Sequence, residues 1–541
     1  MDDYYDLGGY SREVQTSSAD AQIWFDRGLN WTYGFHHEEA IACFEKALTA
    51  DPDCAMAHWG VAYAIGPNYN LQWADFSDEE RAICMERGRT ALAAAEASGA
   101  EAQLIDALRA RYAEDGIPGV DDFGPFNDSY ANAMREVHKA NPNDLDIISL
   151  FVEALMNRTP WQLWDLKTRQ PAEGADTDEA IAALDTAFAN LPGARRHPGL
   201  LHLHIHLMEM SPTPEAALPS GDALVGLVPA SGHLMHMATH IDVLCGDYLN
   251  TISRNQAATV ADAQYFSREG KEHFYTLYAA HNIHFTIYGA MFLGQKAVAL
   301  RAADELAGFM SRDVVEMMPE FAEAFVPMKQ HVLIRFGDWD AIKAQKLPEE
   351  PELYRMSTAL THYAKSVAHS ATDEIAEAEA EREAFLNAKA SMPDEWMLFK
   401  NKCNDLLGVA EAMLEGELAY RKADYDGAYD HLRRSVHLSD NLAYDEPWGW
   451  MQPARHALGA LLMEQGHVDE AEAVYRADLG YDDTLARPHQ HPENVWSLHG
   501  LHECLVRSGN ATEAALIKPR LDIVAARADV PIRASCFCRR S

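Results

Sequence analysis

The stretch AQIWFDRGLNWTYGFHHEEAIACFEKALTADPDC, residues 21–54, decides the fold. Trp24, Gly28 and Trp31 are spaced by four and then three, so they share one face of a helix. Ala40, Phe44 and Ala47 mark a second helix in the same way, and Pro52 closes the unit. Small residues at 28, 40 and 47 let two antiparallel helices approach closely. The bulky residues at 24, 31 and 44 fill the space between neighbouring pairs. The unit is 34 residues long, so the chain is searched for further copies at that period.

The register recurs. Leu458 and Gly459 fit positions 7 and 8, and Gly466, Ala471 and Tyr475 fit 15, 20 and 24. Tyr425, Ala428, Leu432 and Ser435 fit 17, 20, 24 and 27; Gly337 and Trp339 fit 15 and 17; Gly509 and Ala514 mark the last copy. Between Asp78 and Pro192 the pattern weakens to plain helical segments, with loops at 113–125 and 157–175. The reading is an all-α superhelix of helix pairs, an α-solenoid. Residues 1–20 are an N-terminal tail and 21–530 one continuous array: first repeats at 21–77, an irregular part at 78–192, a histidine-rich centre at 193–310 and C-terminal repeats at 311–530. Residues 531–541 form a cysteine-containing tail.

The bulk numbers exclude some partners. Against 83 acidic residues the 541-residue chain has 45 basic ones, a net charge of −38. That surface repels nucleic acid and anionic membranes. Residues 1–21 show neither a basic nor an apolar leader region, and no run is long enough to span a bilayer, so a cytoplasmic home is expected. Cys43, Cys54, Cys84, Cys245, Cys403 and Cys504 stand singly and read as small buried residues.

The chemistry concentrates in His197–Gly294, which reads HPGLLHLHIHLMEMS, then PASGHLMHMATHIDVLCGDY, then YAAHNIHFTIYGAMFLG. Pro229 at position 32 and Gly246 at position 15 independently set the same register for two successive repeats. His202, His206 and Glu209 then fall at positions 5, 9 and 12, and His233, His236 and His240 at 2, 5 and 9. His281, His284 and Tyr288 repeat 2, 5 and 9 in a third copy. Spacings of three and four put each set on one helix face. An i,i+4 pair of imidazoles brings two nitrogens within reach of one transition-metal ion. His202, His206, His236, His240 and His281 are therefore candidate ligands. His233 and His284 are further ligands or acid/base groups, Glu209 a ligand, an orienting carboxylate or a general base, and Tyr288 a hydrogen-bond donor. The plain alternative for any one of them is a hydrogen-bonded core histidine.

Other features weigh less. Cys536 and Cys538 flank one residue near the end of the sequence, and a tail folding back offers two soft ligands, which favours copper or zinc. The plainer reading is a frayed, redox-sensitive pair. His331 falls at position 9 of its repeat, and His499 and Glu503 at 5 and 9 of the last; all three read as structural. His36, His37 and His58 fall off the inner face. DEPWGWMQPARH, Asp445–His456, reads as a packed turn between repeats, and His489 and His491 as solvent-exposed. No G-x-S-x-G elbow, Walker loop, strand-anchored G-x-G-x-x-G or H-E-x-x-H helix is present.

On the residues quoted, the chain resembles tetratricopeptide-repeat proteins, in particular a bacterial and fungal group. The stretch at 36–70, the H-x-x-x-H and GHLMHMATHI runs, HNIHF and YDEPWGWMQPARHALGALL carry that resemblance. His236, His240, His281 and Asn282 also resemble the pattern in tetratricopeptide repeat protein 38. The resemblance implies a superhelix whose first-helix positions 2, 5, 9 and 12 line a concave groove. It implies no activity. Two functions follow as expectations. One is a metal-dependent enzyme acting on a small molecule in the groove, with copper or iron slightly favoured as an oxidoreductase and zinc leading to a hydrolase or lyase. The other is a scaffold that binds a peptide or protein partner without catalysis.

Overall fold

The computed structural model of the chain describes residues 4–97 and 99–540; residues 1–3 of the N-terminal tail and Ser541 of the C-terminal one lie outside them. The described residues form an all-α helical-repeat solenoid. The strands among them are two ribbons of two residues each side, Trp164–Asp165 paired with Gln170–Pro171 and Met397–Leu398 paired with Asn401–Lys402. The chain forms two compact units, Met1–Ile241 and Asp242–Ser541.

In the first unit, helix Ala19–Tyr33 is capped by the Ser18 hydroxyl, which accepts from the Ala21 N–H, and helix His37–Ala50 packs back against it. The Phe44 ring is the wedge that sets their approach. A Cβ on Gly28 or on Gly60 of the next helix would lie 2.6 Å from that ring, so only glycine fits on either side. This is the small–large–small pattern read from residues 21–54. The second unit repeats the device: the Tyr475 ring sits between Gly459 and Gly500, where a Cβ would clash with it.

Position 15 of each repeat is the turn between paired helices, and it requires a left-handed backbone. Gly246, Gly294, Gly337, Gly466 and Gly509 all have φ between +64° and +83° there. Phe35, Asp373 and Ala423 take the same conformation without being glycine, with φ of 53°, 62° and 62°. The irregular stretch resolves into helices Asp78–Ala94, Gly99–Arg109, Gly124–Ala140, Leu145–Met156 and Thr177–Asn190.

Residues 4–18 are docked, with Tyr5, Leu7 and Val14 buried. Arg12 pairs with Asp144 and Asp146, and the Tyr10 hydroxyl donates to Asp146. Asp146 also receives the Tyr33 hydroxyl at 2.6 Å and lies 3.2 Å from His197 Nε2. Burial alone would raise the Asp146 pKa. The hydrogen bond and charge of His197, with Arg12 and Tyr10, outweigh burial and hold it below the ordinary carboxylate range. This network fixes Tyr33 at the end of its helix, next to the histidines. No helix of the described residues is long and apolar enough to cross a membrane.

Candidate metal centre

Two helices of the first unit carry the centre. Helix Pro198–Glu209 has Pro198 in its first turn, and its cap, His197, accepts the Leu200 N–H. It presents His202, His206 and Glu209. The part of helix Gly232–Leu244 that lies within this unit presents His233, His236 and His240. All six side chains are buried, none more than 3% exposed. Ligand atoms of His202, His206 and His233 lie within 4.8 Å of one another, and so do those of His206, Glu209 and His240.

The hydrogen bonds settle which ring nitrogen faces inward. His202 Nδ1 is 2.7 Å from the Tyr33 carbonyl oxygen. A carbonyl only accepts, so Nδ1 carries the proton and Nε2 keeps its lone pair. His206 Nδ1 and His240 Nδ1 lie 3.0 Å and 2.7 Å from the two oxygens of Glu209. An ionised carboxylate likewise only accepts, so both rings take the same tautomer. The Nε2 atoms of His202 and His206 are buried without a hydrogen-bond partner. His236 Nε2 and His240 Nε2 stand 2.7 Å apart, which without a metal is an N–H···N bond. His236 Nδ1 has Thr239 Oγ1 at 3.3 Å, and that hydroxyl donates to the His236 carbonyl oxygen, leaving its oxygen able to accept. The ring can therefore move its proton to Nδ1 and turn its Nε2 lone pair toward an ion.

Burial pushes the pKa of His202 well below its ordinary value, and the neighbouring His206 adds to the effect. His206 is lowered by burial and then by His240, and His233 by burial and then by His202 and His236. These three rings are neutral at physiological pH, the form that binds metals. Aromatic rings enclose them. Phe35 stands 4.4 Å from the His202 ring, stacked at 5.9 Å on both His206 and His233. Tyr69 and Trp161 pack on His206 at 4.9 Å and 5.8 Å. Trp161 comes from the 157–175 loop, and Trp164 of the same loop donates its indole N–H to the Leu207 carbonyl.

The geometry gives each remaining candidate its surroundings. Glu209, open as ligand, orienter or base, has one oxygen on each of two Nδ1 atoms, the geometry of an orienting carboxylate. Cys536 and Cys538 are joined to each other in a disulfide, so in this state they offer no thiolate to a metal. They lie in the second unit, as do His281, His284 and Tyr288 on helix Tyr275–Phe292. There the His281 ring meets Phe285 and Phe399 edge-on. His284 Nε2 touches Met451 Sδ at 2.8 Å, and burial, then His331, pushes its pKa down to about 3. Tyr288 packs on Phe292, and burial, then Asp478 and Glu446, raises its pKa well above the ordinary value. His491 is not solvated: its Nδ1 lies 2.9 Å from the buried Asp478 carboxylate. His489 packs at 4.3 Å against Trp448, tilted to its ring, and burial lowers its pKa to about 4. The sequence reading missed the Tyr33 carbonyl, Thr239, Tyr69 and Trp161. Phe35 alone carried a signal, as a bulky residue at a position that wants glycine.

A tetratricopeptide-repeat family model matches residues 34–54, the turn and second helix of the first repeat. No curated protein matches the chain. Among solved structures, the APC/C hetero-tetramer Cut9–Hcn1 is 12% identical with a TM-score of 0.27, covering 94% of this chain and 96% of that one. Naa15/Naa10 bound to HypK-THB is 12% identical with a TM-score of 0.22, covering 93% of this chain and 70% of that one. At such scores the fold assignment rests on the helices and the repeat match.

Proposed function

We propose that this chain is a partner-binding helical-repeat scaffold whose first unit is built around a buried transition-metal centre. The scaffold role is supported by the repeat fold and the tetratricopeptide match. The metal reading is carried by one observation: Glu209 bridges His206 Nδ1 and His240 Nδ1 and so turns their Nε2 lone pairs inward. Carboxylates that hold a ligand imidazole by its far nitrogen are the ordinary support of such sites. His202, His206, His233, His236 and His240 supply nitrogen donors from two helices, a set that suits copper, iron or zinc and not magnesium or calcium. Glu209 does not serve as a base in this reading, because both of its oxygens hold imidazoles.

The test is elemental analysis of protein purified without nickel resin or chelator, beside the His236→Ala/His240→Ala variant. Near-stoichiometric copper, iron or zinc, lost in the variant while helical circular dichroism persists, supports the centre. Absence of metal in both proteins, with no uptake on titration, removes it.

A further inference from the structure

Residues 532–540 fold across the second unit and touch its helices one after another. The buried Arg335 guanidinium donates to the Ser535 carbonyl, and Arg421 to the Cys538 carbonyl. The Arg540 N–H donates to Glu464 Oε1 at 3.0 Å. The Ser535 hydroxyl donates to the His456 carbonyl at 2.8 Å and meets the Tyr475 hydroxyl. The Phe537 side chain lies over Gly337, where a Cβ would come within 2.7 Å of it, and meets Trp496 edge-on at 6.0 Å. Arg539 forms a two-pronged pair with Glu503 at 2.7 Å and 2.9 Å, and Arg540 pairs with Asp373. Cys538 is 3% exposed.

This is the manner in which a groove holds a bound peptide, here one that bends at 534–536 and turns at 537–538. Main-chain groups are gripped irrespective of sequence, one aromatic side chain fills a slot shaped by a glycine, and two arginines are read by carboxylates. Most of the grip comes from Met328–Arg335, Arg355–Ala371, Cys403–Arg421, Ala454–Glu464 and Val495–Arg507, the first helices of successive pairs, and Tyr475 adds to it from the second helix Val468–Leu479. Glu503, at position 9 of its repeat, is one of the lining positions of that helix. The disulfide between Cys536 and Cys538 closes a small ring around Phe537, so the segment enters the groove already shaped.

We infer that this face of the second unit is a binding groove for a turned, doubly basic segment of a partner protein with an aromatic residue two places before its first arginine, and that residues 534–540 occupy it as a tethered ligand. The inference rests on the scaffold reading and narrows it to one face and one ligand class. The acidic receptor residues and the strongly negative chain fit a basic partner. A tethered segment competes at an effective concentration on the order of millimolar. A free peptide of about micromolar intrinsic affinity is then weakened on the order of a thousandfold.

The experiment uses the full chain and a fluorescein-labelled peptide of residues 534–540 in its disulfide form. Wild type should bind it weakly. The variant Phe537→Ala/Arg539→Ala/Arg540→Ala, whose own segment is loosened, should bind at least about tenfold more tightly. A peptide with both arginines replaced by alanine should bind the variant at least about tenfold less well. Adding Glu503→Ala to the variant should weaken the native peptide but not one with Arg539→Ala. A chain ending at Arg533 gives the same readout if the triple variant misfolds. A folded variant that ignores the peptide, or binds a scrambled one equally, overturns the groove whatever partners the chain has elsewhere. The scaffold reading falls separately, if photo-cross-linking over both units traps no partner.

Discussion

Replacing Glu209 by glutamine isolates the device on which the proposed metal centre depends. The carboxylate accepts from His206 Nδ1 at 3.0 Å and from His240 Nδ1 at 2.7 Å, one imidazole on each oxygen. Glutamine has nearly the same shape but only one acceptor oxygen; its other arm is an NH2 donor. One of the two imidazoles must then face a donor with Nδ1, turn its own proton to Nε2, and present an N–H where an ion needs a lone pair. Loss of such a supporting carboxylate costs about 10- to 100-fold in metal affinity, or about 1.4–2.7 kcal/mol. The assay is competition against a chromogenic chelator at constant pH, with copper and zinc in turn. Imidazole 15N shifts should show one of the two rings changing tautomer, and helical circular dichroism should stay at its wild-type value. Unchanged affinity in a folded Glu209→Gln protein would refute the reasoning, because the ligands would then be oriented by something else.

Other outcomes follow from packing and titration. Gly60→Ala places a Cβ against the Phe44 ring and should destabilise the first unit by about 1–3 kcal/mol in urea unfolding, with Gly459→Ala doing the same to the second unit through Tyr475. Ala423→Gly relieves a left-handed residue at an exposed turn and should raise stability by about 0.5–1 kcal/mol after glycine's extra unfolded-state entropy; a loss of stability would show that φ of 62° is not strained there. Burial, aided by Arg111, lowers the His37 pKa to about 4, and burial alone does the same for His331. Since the unfolded imidazole titrates near about 6.5, the unfolded chain binds more protons between that pH and about 4. Stability contributed by each buried neutral ring is complete above about pH 6.5 and should fall by about 2 kcal/mol per ring at pH 5. In His331→Gln the slope of stability against pH should flatten by close to one proton, measured by denaturant titration at pH 7 and pH 5.

The repeat register was legible because it is written in local requirements. Gly246, Gly294, Gly337, Gly466 and Gly509 sit where the backbone turns left-handed, and a residue type answers that need without tertiary context. The facing of His202, His206, His236 and His240 was legible for the same reason, from helical spacing alone. What holds each ring was not. The Tyr33 carbonyl is 169 residues from His202 in sequence, and the second imidazole on Glu209 comes from another helix. Neither leaves a spacing to read. Phe35 was visible as an anomaly, but its use became clear only when its ring was found on His202, His206 and His233. His491 looked solvated in a polar stretch because its partner Asp478 belongs to another element. Cys536 and Cys538 invited a metal because thiolates are good ligands, whereas a separation of two residues also lets the sulfurs join each other.

In the proposed centre the carboxylate of Glu209 would also set the charge. As metal ligands the imidazoles of His202, His206, His233, His236 and His240 would bring no charge of their own, and an ionised Glu209, 0% exposed to solvent, would bring one negative charge. A univalent ion would leave the assembly neutral; a divalent one would leave it with one positive charge inside a ring of Phe35, Tyr69 and Trp161. An uncompensated buried charge costs several kcal/mol. In the proposed centre this would bias the valence of a redox-active ion before any ligand distance is considered: a cuprous ion would be balanced by the carboxylate, whereas a cupric one would need a further anion.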